Sequence, residues 1–159
     1  MGLSDYLTED GKLTQTLEFS IEWGGINPST DVLTVDLSGG WRERRIQLVG
    51  PNAPLPDELQ QGQPQIDELQ QGQLTASQLA ALAHQLAALE LLNLPDELLG
   101  PFVSPPFKTI RFGNKGTTLS RFAVLPPPED PEAAAVARFI ALELVIKFWT
   151  KEKESSHGT

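Results

Sequence analysis

The chain has 159 residues, of which 40% are hydrophobic and 21% are charged, and its formal net charge is −9. This length corresponds to about one domain, and this composition allows a hydrophobic core to form. The absence of cysteine excludes disulfides, thiolate catalysis and cysteine-bound zinc, and the negative charge disfavours general attachment to nucleic acid or anionic lipid.

Three strands are predicted in the first third of the chain. Residues 13–23 alternate between apolar and polar side chains, which is typical of a half-buried strand in an antiparallel sheet. The alternation resumes at 33–37, and residues 41–49 (WRERRIQLV) form the third predicted strand. Pairs of glycines separate the three strands. Residues 1–12 precede them and are predicted to be a flexible N-terminal segment.

Residues 51–73 contain a tandem duplication, because DELQQGQ occurs at 57–63 and again ten residues later at 67–73, in DELQQGQPQI followed by DELQQGQLTA. The segment is rich in proline and glutamine, carries acidic residues and has no basic residue. Because its apolar content is thin, we expect a Pro/Gln-rich acidic surface loop, which duplication can lengthen at a cost of about 0.6 kcal/mol per doubling. The alternative is a repeated acidic docking motif.

Two helices and a hairpin are predicted in the remaining sequence. A capping box formed by Thr75 and Gln78 begins a helix whose leucines recur every three or four residues. Residues 107–112 and 117–125 flank the turn GNKG and are predicted to pair as a hairpin. A last helix is predicted to run to about Trp149, and a polar tail follows at 150–159.

The order βββ-α-ββ-α predicts an α+β fold. We expect an antiparallel sheet of about five strands with two helices packed on one face, which makes a two-layer sandwich. The single domain would span residues 13–149, with the acidic loop as an insertion.

The sequence shows no constellation of residues that points to catalysis. The two histidines, His84 and His157, have no cysteine or second histidine nearby, and no nucleophile elbow or phosphate-binding loop is present. We therefore expect a chain that is not an enzyme and that has no metal, cofactor or catalytic residue. A site assembled from distant Asp, Glu or Arg residues stays an open alternative.

Basic residues are concentrated on two predicted strand regions and alternate there with aromatic residues. If the two regions adjoin, they form a positive surface for an acidic protein, a nucleic-acid strand or a phosphorylated ligand. The alternative is that the basic side chains line the solvent face of the sheet while the aromatic side chains are core. The residues are Arg42, Arg44, Arg45, Lys108, Arg111, Lys115 and Arg121.

The last helix carries more apolar surface than one sheet face requires. Only Arg138, Glu143 and Lys147 are charged between residues 133 and 149, and the last two lie on one narrow stripe. The apolar arc predicts homodimerisation or partner docking, and the alternative is burial within the monomer. The candidate contact residues are Phe139, Leu142, Val145, Ile146 and Trp149.

The order of elements resembles two bacterial groups. The shared features are Gly24, Gly25 and Ile26 after the first strand, Val-Asp at 35–36 in the second, and the leucine-rich stretch 74–95. The chain resembles uncharacterised small bacterial α+β domains, and it resembles the emfourin-type inhibitors of thermolysin-like metallopeptidases. The second resemblance implies that the loop of Gly24, Gly25 and Ile26 enters a protease cleft.

Together these features predict a non-enzymatic protein-interaction or regulatory module whose partner is unknown. Inhibition of a bacterial metallopeptidase and ligand binding by the basic sheet face are the alternatives, with nucleic acid the disfavoured ligand. No stretch of about 18 apolar residues and no secretory signal is present, so we expect no transmembrane segment and a cytoplasmic location.

Overall fold

The computed structural model describes residues 2–24, 29–48, 64–99, 106–120, 129 and 132–152. These residues form an α+β fold with two α-helices and an open, mixed sheet of seven strands. The helices are α1 (Ala76–Ala88) and α2 (Ala133–Lys147). The strands are β1 (Leu17–Trp23), β2 (Ser29–Val35), β3 (Gly40–Leu48), β4 (Pro64–Gln73), β5 (Glu97–Leu99), β6 (Phe107–Phe112) and β7 (Lys115–Ser120).

The sheet order is β4-β3-β2-β1-β6-β7-β5, and every pair is antiparallel except β5 with β7, which is parallel. The expected α+β class and the two helices are confirmed, whereas the expected sheet of about five antiparallel strands lacks β4 and β5. Strand β5 has only three residues, and so short a segment carries no readable alternation. Its parallel pairing makes the sheet mixed.

The second copy of the duplicated heptapeptide forms most of β4, where the sequence predicts a loop. Residues 67–73 pair with β3 at one edge of the sheet, with a register shift between Glu43 and Arg44. Residues 66–71 are all exposed, so no apolar alternation is needed to build this strand. Residues 51–63, which contain the first copy, lie outside the described part of the chain.

The N-terminal segment that was expected to be flexible packs into the core instead. Tyr6 and Leu13 are each 1% exposed, and a β-bridge joins Leu7 to Leu13. The Tyr6 hydroxyl accepts a hydrogen bond from the backbone N–H of Leu92 at 3.0 Å. Single buried residues in a short segment have no periodicity, which is why the sequence pattern does not show them.

Several local predictions are confirmed by the structure. Thr75 and Gln78 form the predicted capping box, with the Gln78 N–H donating to Thr75 Oγ1 and the Thr75 N–H donating to Gln78 Oε1. Strands β6 and β7 pair as the predicted hairpin, and β7 is described up to Ser120. Within the described ranges, neither helix combines the length and apolar character that crossing a bilayer requires.

One core unites the two helices with one face of the sheet. The buried hydrophobic residues of β1, β2 and β6 share one parity, because Leu17 lies opposite both Val35 and Phe112 while Phe19 lies opposite both Leu33 and Ile110. We call this the helix face and the opposite side the open face. The buried helix residues of the same cluster include Leu79, Leu82 and Leu86 from α1 and Phe139, Leu142 and Ile146 from α2.

The buried tyrosine gives a first testable prediction. Burial raises the pKa of Tyr6 above its ordinary value of 10.0, because the phenolate is poorly solvated in the core. Tyr6 contributes stability that is fully present below pH 10 and is lost as pH rises through the folded pKa. Tyr6 is the only tyrosine of the chain, so the ultraviolet absorbance of phenolate reports it alone. The phenolate absorbance should rise at a pH above 10 in the folded protein and near pH 10 in the urea-unfolded protein. Coincident titration curves for the two states would contradict the prediction.

Candidate functional site

The structure separates the basic residues that the sequence grouped together. Strands β2 and β1 lie between β3 and β6, so the two basic regions are about 14 Å apart at a strand spacing of about 4.8 Å. Their side chains also divide between the two faces. The open face carries Arg42, Arg44 and Arg111, and the helix face carries Arg45 and Lys108. A continuous basic patch is therefore not formed by these five residues.

The predicted binding residues also include positions in the β6–β7 hairpin and in the segment after β1. Lys115 Nζ is 2.8 Å from Asp96 Oδ1, and this contact lowers the pKa of Asp96. Gly24 is exposed at the end of β1. Gly25, Ile26 and Arg121 lie outside the described residues, and so does most of the loop that the inhibitor resemblance implies.

The C-terminal helix buries three of the residues that were candidates for partner contact. Phe139, Leu142 and Ile146 are at most 1% exposed and belong to the core of the monomer. Val145 and Trp149 are partly buried, and the Trp149 indole N–H donates to the side-chain oxygen of Gln85 on α1. Burial within the monomer therefore accounts for the inner side of this helix.

The charged stripe of α2 faces the sheet. The buried Glu143 carboxylate accepts hydrogen bonds from Lys108 Nζ at 3.1 Å to each oxygen and from Lys147 Nζ at 2.7 Å. Lys147 Nζ also lies 5.6 Å from the ring centroid of Phe19. We call Lys108, Glu143 and Lys147 the ion cluster. Because β6 presents Lys108 on the helix face, the carboxylate of Glu143 faces the sheet, on the same side of α2 as the buried apolar side chains.

The orientation of α2 on the sheet leaves an apolar face of the helix exposed to solvent. Leu144 is 59% exposed and Phe148 is 48% exposed, although the Phe148 ring also makes an edge contact with the Trp149 ring. Three exposed residues of α2, one half-buried residue (Ala141), and Phe148, which begins the short π-helix Phe148–Glu152 directly after α2, fall within an arc of about 80° at 3.6 residues per turn. We call them the outer apolar face: Ala134, Ala137, Ala141, Leu144 and Phe148.

A small cavity lies beside the ion cluster on the helix face. Its volume is about 160 Å³, and Lys147 and the buried Glu43 line it together with apolar side chains of β1 and β2. Asp31 at its rim accepts hydrogen bonds from Arg45 Nε at 2.8 Å and from Trp23 Nε1 at 3.3 Å. The hydrogen bond to Asp31 raises the pKa of Arg45 above its usual value.

Sequence reasoning did not identify the residues around this cavity, although part of the signal is present. Glu43 shares the parity of the core residue Trp41 within WRERR, so alternation alone places it on the buried face. The contact between Glu143 and Lys108 has no such signal, because these residues are 35 positions apart and on different elements.

A larger cleft opens on the other side of the sheet. It has a volume of about 700 Å³ and lies where β2, β3 and β4 run side by side near Gly40. Thr34, Arg42 and Gln71 form one cross-strand row in it, and Arg44 follows two residues along β3. The lining residues are Thr34, Asp36, Gly40, Trp41, Arg42, Arg44, Gln71, Gly72 and Gln73.

Among the described residues, no group of three or more histidines, aspartates or glutamates is arranged to hold a metal ion. The ion cluster is satisfied by its own pairs, and the outer apolar face has no polar side chain. Comparison of the sequence with known protein families and with curated proteins finds no match.

Proposed function

We propose that this chain is a non-enzymatic protein-interaction module that associates with a second copy of itself through the outer apolar face of α2. The observation that carries this proposal is the exposure of Leu144, 59% of whose surface is in water on a helix that also buries its inner side. A helix with apolar residues on its outer side as well as its inner side is normally covered on both sides. Removing such a face from water favours association.

The order of side-chain sizes along the face favours a second copy as the partner. Small residues (Ala134 and Ala137) lie at the N-terminal end, and Leu144 and Phe148 lie at the C-terminal end. Ala134 and Phe148 are each seven residues from Ala141, which is about 10.5 Å along the axis.

Antiparallel pairing of two copies about Ala141 matches large side chains to small ones. Phe148 of each copy would then contact Ala134 of the other, and Leu144 would contact Ala137. Two-fold symmetry, which most homodimers have, forms each of these contacts twice, once from each copy. A helix of 15 residues is only about 22 Å long, so the interface falls below the roughly 1,200 Å² of stable complexes. We therefore expect a weak, concentration-dependent dimer.

Sedimentation equilibrium over a wide range of protein concentration tests this proposal. The unchanged protein should shift from monomer to dimer as concentration rises. Leu144→Glu and Ala137→Glu should each remain monomeric, because each places a charge within the paired faces. His84→Glu on the exposed side of α1 is the control and should dimerise like the unchanged protein.

Two results would count against the proposal. If the unchanged protein stays monomeric at millimolar concentration, it does not self-associate and the proposal is wrong. A dimer that persists in both Leu144→Glu and Ala137→Glu is held by some other surface. Circular dichroism of each variant establishes that the monomer keeps its fold, so that loss of the dimer reports the interface alone.

A further inference from the structure

We propose that the cleft on the open face binds a small organic molecule bearing one oxyanion group, a carboxylate or a phosphate, which Arg42 and Arg44 hold. This site lies on the opposite side of the sheet from α2 and is independent of the proposed self-association. Its volume of about 700 Å³ is within the range of small-molecule sites, which is roughly 300 to 1,000 Å³.

The geometry of β3 brings two guanidinium groups to the same cleft. Arg42 and Arg44 are two residues apart on one strand, so their side chains leave the same face about 6.6 Å apart. Thr34 and Gln71 lie on either side of Arg42 in the cross-strand row and add a hydroxyl and an amide N–H₂ as further donors. Several donors facing one space are suited to an oxyanion, and the planar guanidinium is suited to two-point binding of its oxygens.

Arg44 supplies the observation that points to a ligand. Its Nε is buried and has no hydrogen-bond partner among the described residues. A buried N–H of a charged group is costly when it is left unsatisfied, and native structures rarely leave one so. An oxygen held in the cleft would satisfy this donor once the Arg44 side chain turns its Nε toward the cleft.

The pairing of Arg42 within the protein is weak. Its closest carboxylate is that of Glu68 at 3.8 Å, and both side chains are more than half exposed, at 53% and 56%. Exposed pairs at this distance contribute between zero and about 1 kcal/mol. An oxyanion in the cleft can therefore compete with Glu68 for Arg42.

The acidic groups near the cleft limit what it can bind. Asp36 lines the cleft, but its Oδ1 already accepts hydrogen bonds from the Ser38 N–H, the Ser38 hydroxyl and the Gly40 N–H. The chain as a whole has a net charge of −9, which repels an extended polyanion. A molecule with one oxyanion group experiences mainly the two nearby guanidinium groups, since salt screens the distant charges.

The test is a titration followed by proton–nitrogen NMR, which detects the Nε–H groups of arginine side chains. The probes are benzoate and inorganic phosphate, which distinguish the two oxyanions, and benzyl alcohol is the neutral control. Benzoate or phosphate should shift the Arg44 Nε–H resonance saturably, while benzyl alcohol should leave it unchanged. Arg42→Gln and Arg44→Gln should each weaken binding by about tenfold or more. In Arg44→Gln, which lacks the Arg44 resonance, the backbone N–H resonances of β3 in the same spectra report binding.

The matched control is Arg111→Gln, which removes an arginine from the same open face outside the cleft. It should bind the probe as the unchanged protein does. Equal weakening in Arg111→Gln, or a shift that grows with salt and never saturates, would overturn the proposal, and so would the absence of any shift. If Arg44→Gln does not fold, Arg44→Lys keeps the charge but loses the planar fork, and unchanged affinity in that variant would also overturn it.

Discussion

Glu143→Gln is expected to lower the free energy of unfolding by about 2–3 kcal/mol. The substitution leaves the size of the side chain almost unchanged but removes the charge that Lys108 and Lys147 share. Breaking one partner of a buried ion pair typically costs about 3–5 kcal/mol, because the remaining charge is left without compensation. The two lysines are each about 30% exposed, so water offsets part of this cost.

Urea unfolding followed by circular dichroism measures the effect of Glu143→Gln. Glu90→Gln makes the same chemical change at an exposed glutamate, which lies 3.9 Å from Arg138, and should change stability by less than about 0.5 kcal/mol. Lys147→Met should cost less than Glu143→Gln, because Lys108 still pairs with the carboxylate. Equal stabilities of Glu143→Gln and Glu90→Gln would show that the ion cluster contributes nothing.

The ion cluster also bears on the proposed function. It holds the one charged stripe of the C-terminal half of α2 against the sheet, and this leaves Leu144 and Phe148 outside. Loss of the cluster should therefore loosen the rotation of α2 as well as lower stability. The outer apolar face depends on a contact at the opposite side of the same helix.

Gly72→Ala is expected to destabilise the protein by about 2 kcal/mol. Gly72 lies opposite Trp41 on the neighbouring strand, and a Cβ atom at this position would lie 2.6 Å from Trp41 Nε1. The indole is only 3% exposed, so it cannot swing into solvent without disturbing the core. Overpacking of this kind costs about 1–3 kcal/mol, and the thermal midpoint should fall by about 5 °C.

The duplication provides a control for Gly72→Ala. Gly62 occupies the same place in the first copy of DELQQGQ, so Gly62→Ala makes the same change in an identical heptapeptide. We expect its thermal midpoint to stay within about 1 °C of the unchanged protein, because the contact with Trp41 belongs to the second copy. Calorimetry of both variants would contradict the assignment of β4 if Gly62→Ala were the more damaging change.

The sequence by itself determined the elements whose burial follows a period. Alternation from Leu17 to Trp23 encodes a half-buried strand, the capping box at Thr75 begins α1, and the turn before Lys115 closes the β6–β7 hairpin. Each of these signals is local, because a strand or helix that packs on one side must repeat its apolar residues at two or 3.6 positions. The α+β class follows from the order of such elements.

Only the tertiary structure decided the elements and sites that lack a period. Strand β4 is exposed and polar because it lies at an edge, so its pairing with β3 is visible only in the assembled sheet. The separation of Arg44 from Arg111 follows from the insertion of β2 and β1 between their strands. The outward face of α2 follows from the packing of its buried residues on the sheet together with the pairing of Glu143 with Lys108 on β6. These features depend on contacts between residues far apart in the chain, and local patterns of hydrophobicity carry no information about such contacts.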